Sequence, residues 1–247
     1  MTAQRARTGN LSASQLRRKI SRWFRTQRAD AFRRIFRVAE NTKILDLGGG
    51  LGDHIHWLLQ GTSVRPENVT VADIFDAPQP YGYKRVVLKE IDSLPFGKSE
   101  FDIVFCNSVL EHVTVPKDKI WTTSGAEFRE QSLRHQRSFA EQISAITKAY
   151  WVQVPYKWFP VCSHSWLPFI AWLPRILLLP AIKTFRRLGY KVHRPDWYIL
   201  TRKQMQTMFP LAVIQSERFI GLTKSLIAIR TPDSSSDKPP TTKTLAA

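Results

Sequence analysis

The sequence predicts a doubly wound α/β domain built on a mostly parallel, seven-stranded sheet. Three observations lead there. Short apolar runs alternate with helical patterns from about residue 43 onward. The first run ends in a glycine-rich turn, and two closely spaced runs close the pattern near the C-terminal end. Alternation of this kind places helices on both faces of a parallel sheet.

The runs Lys43–Leu47, Val69–Ala72, Arg85–Leu88, Phe101–Cys106 and Tyr150–Val154 are the predicted parallel strands. Helical patterns cover 53–60 and 126–147. Ala212–Gln215 and Ser225–Ile229 are separated by a short stretch and predict an antiparallel pair at one sheet edge. The expected organisation is a basic helical extension over 1–40, an α/β domain over 41–230 and a disordered polar tail over 231–247. No internal repeat is present.

The 247 residues suffice for one sizeable α/β domain. The net charge of +17 is concentrated early, in Arg17, Arg18, Lys19, Arg22, Arg25, Arg28, Arg33, Arg34 and Arg37. Leu16, Ile20, Trp23, Phe24, Phe32 and Phe36 recur among these at roughly helical spacing, which predicts one or two basic amphipathic helices. They could pack on the domain or lie on an anionic membrane surface. A solvated basic face with no dedicated partner explains the charge equally well.

Two cysteines, Cys106 and Cys162, make no CxxC and no local Cys/His cluster. A disulfide scaffold, a structural zinc site and any bound metal are therefore not expected, and a reducing compartment fits. The N-terminus is polar and arginine-rich, without the apolar core of a secretory signal. The expected location is cytoplasmic, with attachment to the inner face of the membrane left open.

Residues 155–200 interrupt the α/β pattern with Trp, Phe, Leu and Pro. Pro168, Pro174 and Pro180 break any long helix, and Arg175 interrupts the apolar stretch. A spanning helix needs about 20 continuous apolar residues, so none is expected. A lid over a substrate pocket, or a shallow membrane contact, fits better. Tyr156, Trp158, Phe159, Trp166 and Phe169 could line an apolar acceptor site or simply pack the insertion.

The glycine turn reads Asp46-Leu-Gly48-Gly-Gly50-Leu-Gly52. Glycines there allow a tight turn and close backbone approach to a ligand. The spacing is G-x-G-x-G, and Asp53 stands where a dinucleotide fingerprint has its third glycine, which disfavours NAD or FAD. Asp46 could receive a positively charged amino group, directly or through water. Asp73 ends the second strand, where a carboxylate can accept ribose hydroxyls or merely cap a helix. Glu90-Ile91-Asp92 precedes Leu94-Pro-Phe96, an acid beside an apolar slot. Asn107 ends the fourth strand, and Glu111-His112 follows it.

The order DLGGGLG, VAD, LPFGKSEFDIVFCNSVLEHV resembles the class I S-adenosylmethionine methyltransferases, and within them the broad group that includes the ubiquinone and menaquinone biosynthesis enzymes. The resemblance covers about residues 42–155 and, more loosely, the end of the chain. It implies a Rossmann-like fold and S-adenosylmethionine as cofactor. It assigns Asp46, Gly48, Gly50 and Gly52 to the methionine end and Asp73 to the ribose. Glu90 aligns with the adenine-contacting acid, with Ile91 beside it and Asp92 as the competing choice. Asn107 falls beside the sulfonium.

Methyl transfer from a sulfonium is an in-line displacement that mainly needs alignment and exclusion of water. A hydroxyl or carbon acceptor would gain from a general base. His112 and His164 are the candidates, against the plainer readings that they pin a loop and cap a turn. His54 stands at the start of the first helix near the cofactor turn; His56 is expected to be surface or packing. The leading expectation is transfer to a small-molecule, lipid-like acceptor. The alternatives are an RNA or protein methyltransferase using the basic region, and a non-catalytic interaction module. Asn107-Ser-Val-Leu lacks the Asn/Asp-Pro-Pro-aromatic signature of amino-methylating nucleic-acid enzymes.

Overall fold

A computed structural model describes residues 13–89, 93–190 and 192–232. The strands are β1 Ile44–Leu47, β2 Val69–Asp73, β3 Lys84–Val87, β4 Phe101–Asn107, β5 Thr147–Pro155, β6 Val213–Phe219 and β7 Leu222–Arg230. They form one seven-stranded sheet in the order β3-β2-β1-β4-β5-β7-β6. β1 to β5 pair in parallel, and β7 runs antiparallel to both β5 and β6. The predicted antiparallel edge is therefore present, as the hairpin β6–β7.

Successive side chains of each strand point to opposite faces, and the helices cover both. One face carries Ile44, Val69, Val71, Ile103, Phe105 and Trp151, under α1 (Ala13–Ile35) and α2 (Asp53–Leu59). The other carries Leu45, Leu47, Val104, Cys106, Val152 and Leu226, under α3 (Gly125–Ile146) and α5 (Arg202–Met208). Caps set two of the helix starts. Ser124 accepts from the Glu127 N–H ahead of α3, and Thr201 with Gln204 forms a capping box at α5.

α1 is a single helix whose C-terminal half belongs to the core. Ala29, Ala31 and Phe32 are buried, and the Phe32 ring packs edge-on to Phe105 and Trp151 of the sheet. Arg28, read from sequence as part of a basic surface, is buried as well. Its guanidinium donates from Nε and Nη2 to the two oxygens of Glu217 in β6, each at 2.7 Å. A bidentate pair of this kind fixes both position and orientation.

The insertion builds a small core of its own from Cys162, Ile170, Leu178, Ile182, Trp197 and Ile199. Within it, α4 (Arg175–Arg187) runs through Pro180 instead of stopping there. Pro180 removes only the hydrogen bond to the Ile176 carbonyl, and Ile176 is 80% exposed, so water can reach that turn. Leu178 and Ile182, buried on either side, hold the helix together across the gap. Arg175 starts this helix as its anchor: the guanidinium lies 3.5 Å above the Phe128 ring and donates to the Ile120 carbonyl. Burial lowers its pKa to about 10. Among the described residues no helix is long and apolar enough to cross a membrane.

The packing of α1 makes a stability prediction. Phe32→Ala should cost about 3–5 kcal/mol, the usual penalty for emptying a fully buried aromatic site. Urea denaturation followed by circular dichroism measures it. A loss near zero would mean that α1 is not part of the cooperative core.

Candidate active site

The carboxyl ends of β1, β2 and β4 open at the point where the strand order reverses, the usual ligand position in an open α/β sheet. Gly48 leaves β1 with φ +76, and its N–H donates to the Ala72 carbonyl of β2. A side chain here would strike Val109. Gly50 also has positive φ, but a Cβ on it would meet nothing within 4 Å, so open space lies over this backbone. Its N–H donates to Asp73 Oδ2 at 2.9 Å, while the Phe75 N–H donates to Oδ1. A carboxylate can accept about four such bonds, so Asp73 retains capacity for a ligand. Arg85 clamps the turn from the far side, donating to the carbonyls of Gly50 and Phe75. Gly52 ends the turn as the left-handed N-cap of α2.

Asp46 lies beneath this turn, 1% exposed, with Oδ2 unpartnered and no room for a side chain at Gly49 above it. Burial, reinforced by the nearby Asp73 charge and opposed by Arg85, raises its pKa to about 8. Asp46, expected to receive an amino group directly or through water, thus sits below the loop. Glu90, Ile91 and Asp92, the expected adenine-side residues, lie outside the described residues.

Two cavities flank the turn. One, of about 620 Å³, is lined by Gly48, Asp73, Ile74, Leu88, Val109 and Val113 among others. The second, of about 400 Å³, lies between α1, β4, β5 and the insertion, with apolar walls from Phe24, Tyr156, Phe159, Val161, Trp166 and Ile199. Ser108, directly after β4, lines both. Of the aromatic residues singled out in sequence, Tyr156, Phe159 and Trp166 reach the second cavity, whereas Trp158 and Phe169 pack against Trp172 and face outward.

A polar chain floors the second cavity. Asn107 Oδ1 accepts from Arg28 at 3.2 Å, and Asn107 Nδ2 lies 3.3 Å from His54 Nδ1. Burial, followed by the charges of Arg25 and Arg28, lowers the His54 pKa to about 4, which leaves a neutral ring. Burial would raise the Glu217 pKa, but the Arg28 charge outweighs it and brings it to about 2. Lys224 also pairs with Glu217 and lies 4.0 Å over the Phe24 ring. Sequence reasoning missed Arg28, Glu217 and Lys224 as site residues. Their separation in the chain hides them, and Arg28 looks like any other member of its basic run.

His56 stacks on Tyr81 and contacts the Tyr83 hydroxyl, a packing role as expected. The two candidate bases meet each other. His112 Nδ1 pairs with Asp196 at 3.1 Å, and its Nε2 lies 3.0 Å from His164 Nε2. His112 also lines the first cavity; His164 lines neither of the two. Burial lowers the His164 pKa, but contacts with Cys162 and Glu111 overcome this and raise it to about 9. Glu111, His112 and His164 converge in space across 52 positions of sequence, which no local spacing reveals.

The buried Asp46 makes a pH prediction for the cofactor-free protein. Its folded pKa of about 8 stands above the ordinary 3.8. Between these values the folded state holds a proton that the unfolded chain has lost, so raising the pH favours unfolding. Asp46→Asn, neutral throughout, should gain stability relative to the native chain as pH rises from 5 to 8, seen in thermal melts. A difference independent of pH would show that Asp46 is ionised in the folded state.

Residues 45–121, from β1 through the exit loop of β4, match the family model described as a methyltransferase domain. No curated protein matches the sequence. Solved structures with a similar fold include a protein from Pyrococcus horikoshii OT3, 12% identical over 89% of this chain and 93% of that one, with a TM-score of 0.49. Another is an S-adenosylmethionine-dependent methyltransferase from Aquifex aeolicus, 14% identical over 82% and 88%, TM-score 0.42. A third is the magnesium protoporphyrin IX methyltransferase of Synechocystis PCC 6803 with bound S-adenosylhomocysteine, 12% identical over 90% of each chain, TM-score 0.46. The matched methyltransferase domain spans the strands that shape the glycine turn and its acid, and a domain of this kind takes its methyl group from S-adenosylmethionine.

Proposed function

We propose that the chain methylates a small acceptor with an apolar, lipid-like body, held in the aromatic-walled cavity beside the cofactor cavity. The observation that carries this reading is the junction of the two cavities at Ser108, at the carboxyl end of β4. In this reading the Gly48–Gly52 turn, with Asp46 beneath it, receives the methionine end of the cofactor. Asp73 accepts the ribose hydroxyls with its spare lone pairs, and Ile74, Leu88 and Val113 flank the base. Bound S-adenosylmethionine supplies an electrophilic methyl group.

The chain's own residues supply position and dryness. Tyr156, Phe159 and Trp166 exclude water from the acceptor side, which strengthens every polar contact made there. Arg28, Asn107 and His54 form a fixed polar floor that would orient the acceptor's polar end, and such orientation is a large part of the rate gain in a displacement. Neither His112 nor His164 presents a free ring nitrogen to this cavity, so neither is assigned as base.

The outer face of the insertion supports a lipid-like acceptor. Trp158, Phe169, Trp172, Ile176 and Leu177 are exposed, and Lys183, Arg186 and Arg187 follow on α4. An apolar face beside cations suits an anionic bilayer surface. A double variant Trp172→Ser/Ile176→Ser should lower co-sedimentation with vesicles containing phosphatidylserine by about fivefold or more, the loss of two buried apolar groups. Unchanged sedimentation would remove the membrane contact.

Cofactor placement is tested by calorimetry with S-adenosylmethionine. Asp73→Ala should weaken binding by about 1–3 kcal/mol, roughly 5- to 150-fold, the loss expected for hydrogen bonds to a charged group. Unaltered affinity would refute the ribose assignment.

A further inference from the structure

We propose that Glu111, His112 and His164 bind one divalent transition-metal cation. Their ligand atoms all lie within 4.8 Å of one another. His112 Nε2 and His164 Nε2 are 3.0 Å apart, and His164 Nε2 is 3.7 Å from Glu111 Oε1. Donors that each sit about 2.0–2.2 Å from one ion are spaced about 3.0–3.5 Å from each other. The two separations that involve His164 therefore already stand near what a shared ion requires, and the third pair lies within 4.8 Å.

Glu111 supplies the independent observation. It is fully buried, neither carboxylate oxygen has a hydrogen-bond partner, and its ionic neighbour is His164 Nε2 at 3.7 Å. A buried carboxylate with no hydrogen bond and one ionic contact at 3.7 Å is costly. A proton shared between the two facing Nε2 atoms would join the rings but leave Glu111 unsatisfied. A cation between them takes both imidazoles and the carboxylate at once.

The surroundings are those of a prepared metal site. Asp196 holds Nδ1 of His112, which directs Nε2 inward in the carboxylate–histidine arrangement that supports metal ligands. Nδ1 of His164 lies 3.3 Å from the Ser163 hydroxyl and 4.0 Å from Cys162 Sγ. The thiol is thus on the far side of the ring and outside the ligand set. Two imidazoles and one carboxylate suit zinc, cobalt, manganese or iron and disfavour magnesium and calcium, which take oxygen ligands. His112 and His164 also line an open cavity of about 470 Å³ with Lys117, Ser163, His193, Arg194 and Asp196. With His112 and His164 lining an accessible cavity and Glu111 buried behind them, a three-ligand site leaves a coordination position for water or an oxygen ligand. The site is independent of the acceptor assignment.

The test uses the full chain, stripped with a chelator and dialysed, and titrated with cobalt(II) while its visible absorption is followed. One equivalent should produce a saturable band that zinc displaces. His164→Ala should weaken binding by more than about 10-fold, and Asp196→Asn, which leaves all three ligands in place, by about 10- to 100-fold with the band retained. Because Glu111→Gln could compromise folding, these two variants carry the comparison, with circular dichroism confirming that each is folded. Calorimetry with S-adenosylhomocysteine in chelator reports the cofactor site separately. A folded native chain with no saturable band, or a His164→Ala variant that binds cobalt like the native chain, would overturn the proposal.

Discussion

The bidentate pair between Arg28 and Glu217 ties the molecule together beside the aromatic-walled cavity. It joins the N-terminal helix to the last hairpin, two parts of the chain 189 positions apart. Through the third guanidinium nitrogen it also holds Asn107 at the end of β4. Helix, hairpin and central strand thus share one buried charge contact beside the aromatic-walled cavity. Pairing both oxygens of Glu217 offsets much of the cost of burying the charges, which an unpaired group could not recover.

The same geometry explains why the site divides into two chambers. The sheet order reverses beside β1, so β1 and β2 open on one side and β4 and β5 on the other. The glycine turn closes down over Asp46 and is pinned by Asp73 and Arg85, which leaves the backbone of Gly50 open toward solvent. Aromatic side chains of the insertion then roof the second chamber. The two chambers draw their walls from different elements of the fold.

Local features were legible in the sequence. The strands from Lys43 onward could be read because parallel strands buried on both faces appear as short apolar runs. The turn at Gly48–Gly52 and the acid at Asp73 carry their chemistry in adjacent residues. What could not be read depends on distance along the chain. Arg28 resembles its exposed neighbours until Glu217 is brought beside it. Glu111-His112 looks like a loop pin until the insertion delivers His164. Pro180 reads as a helix stop, but burial of Leu178 and Ile182 outweighs one missing hydrogen bond. In each case tertiary contact overrides a local signal.

The central claim is that the cofactor occupies the chamber bearing Asp73 and abuts the acceptor chamber at Ser108. Hydrogen–deuterium exchange with and without S-adenosylhomocysteine tests it most directly. The account predicts added protection confined to residues 47–52, 73–75 and 107–113, with the outer face of α4 unchanged. Protection centred on α4 or on the β6–β7 hairpin, with none at the glycine turn, would contradict it.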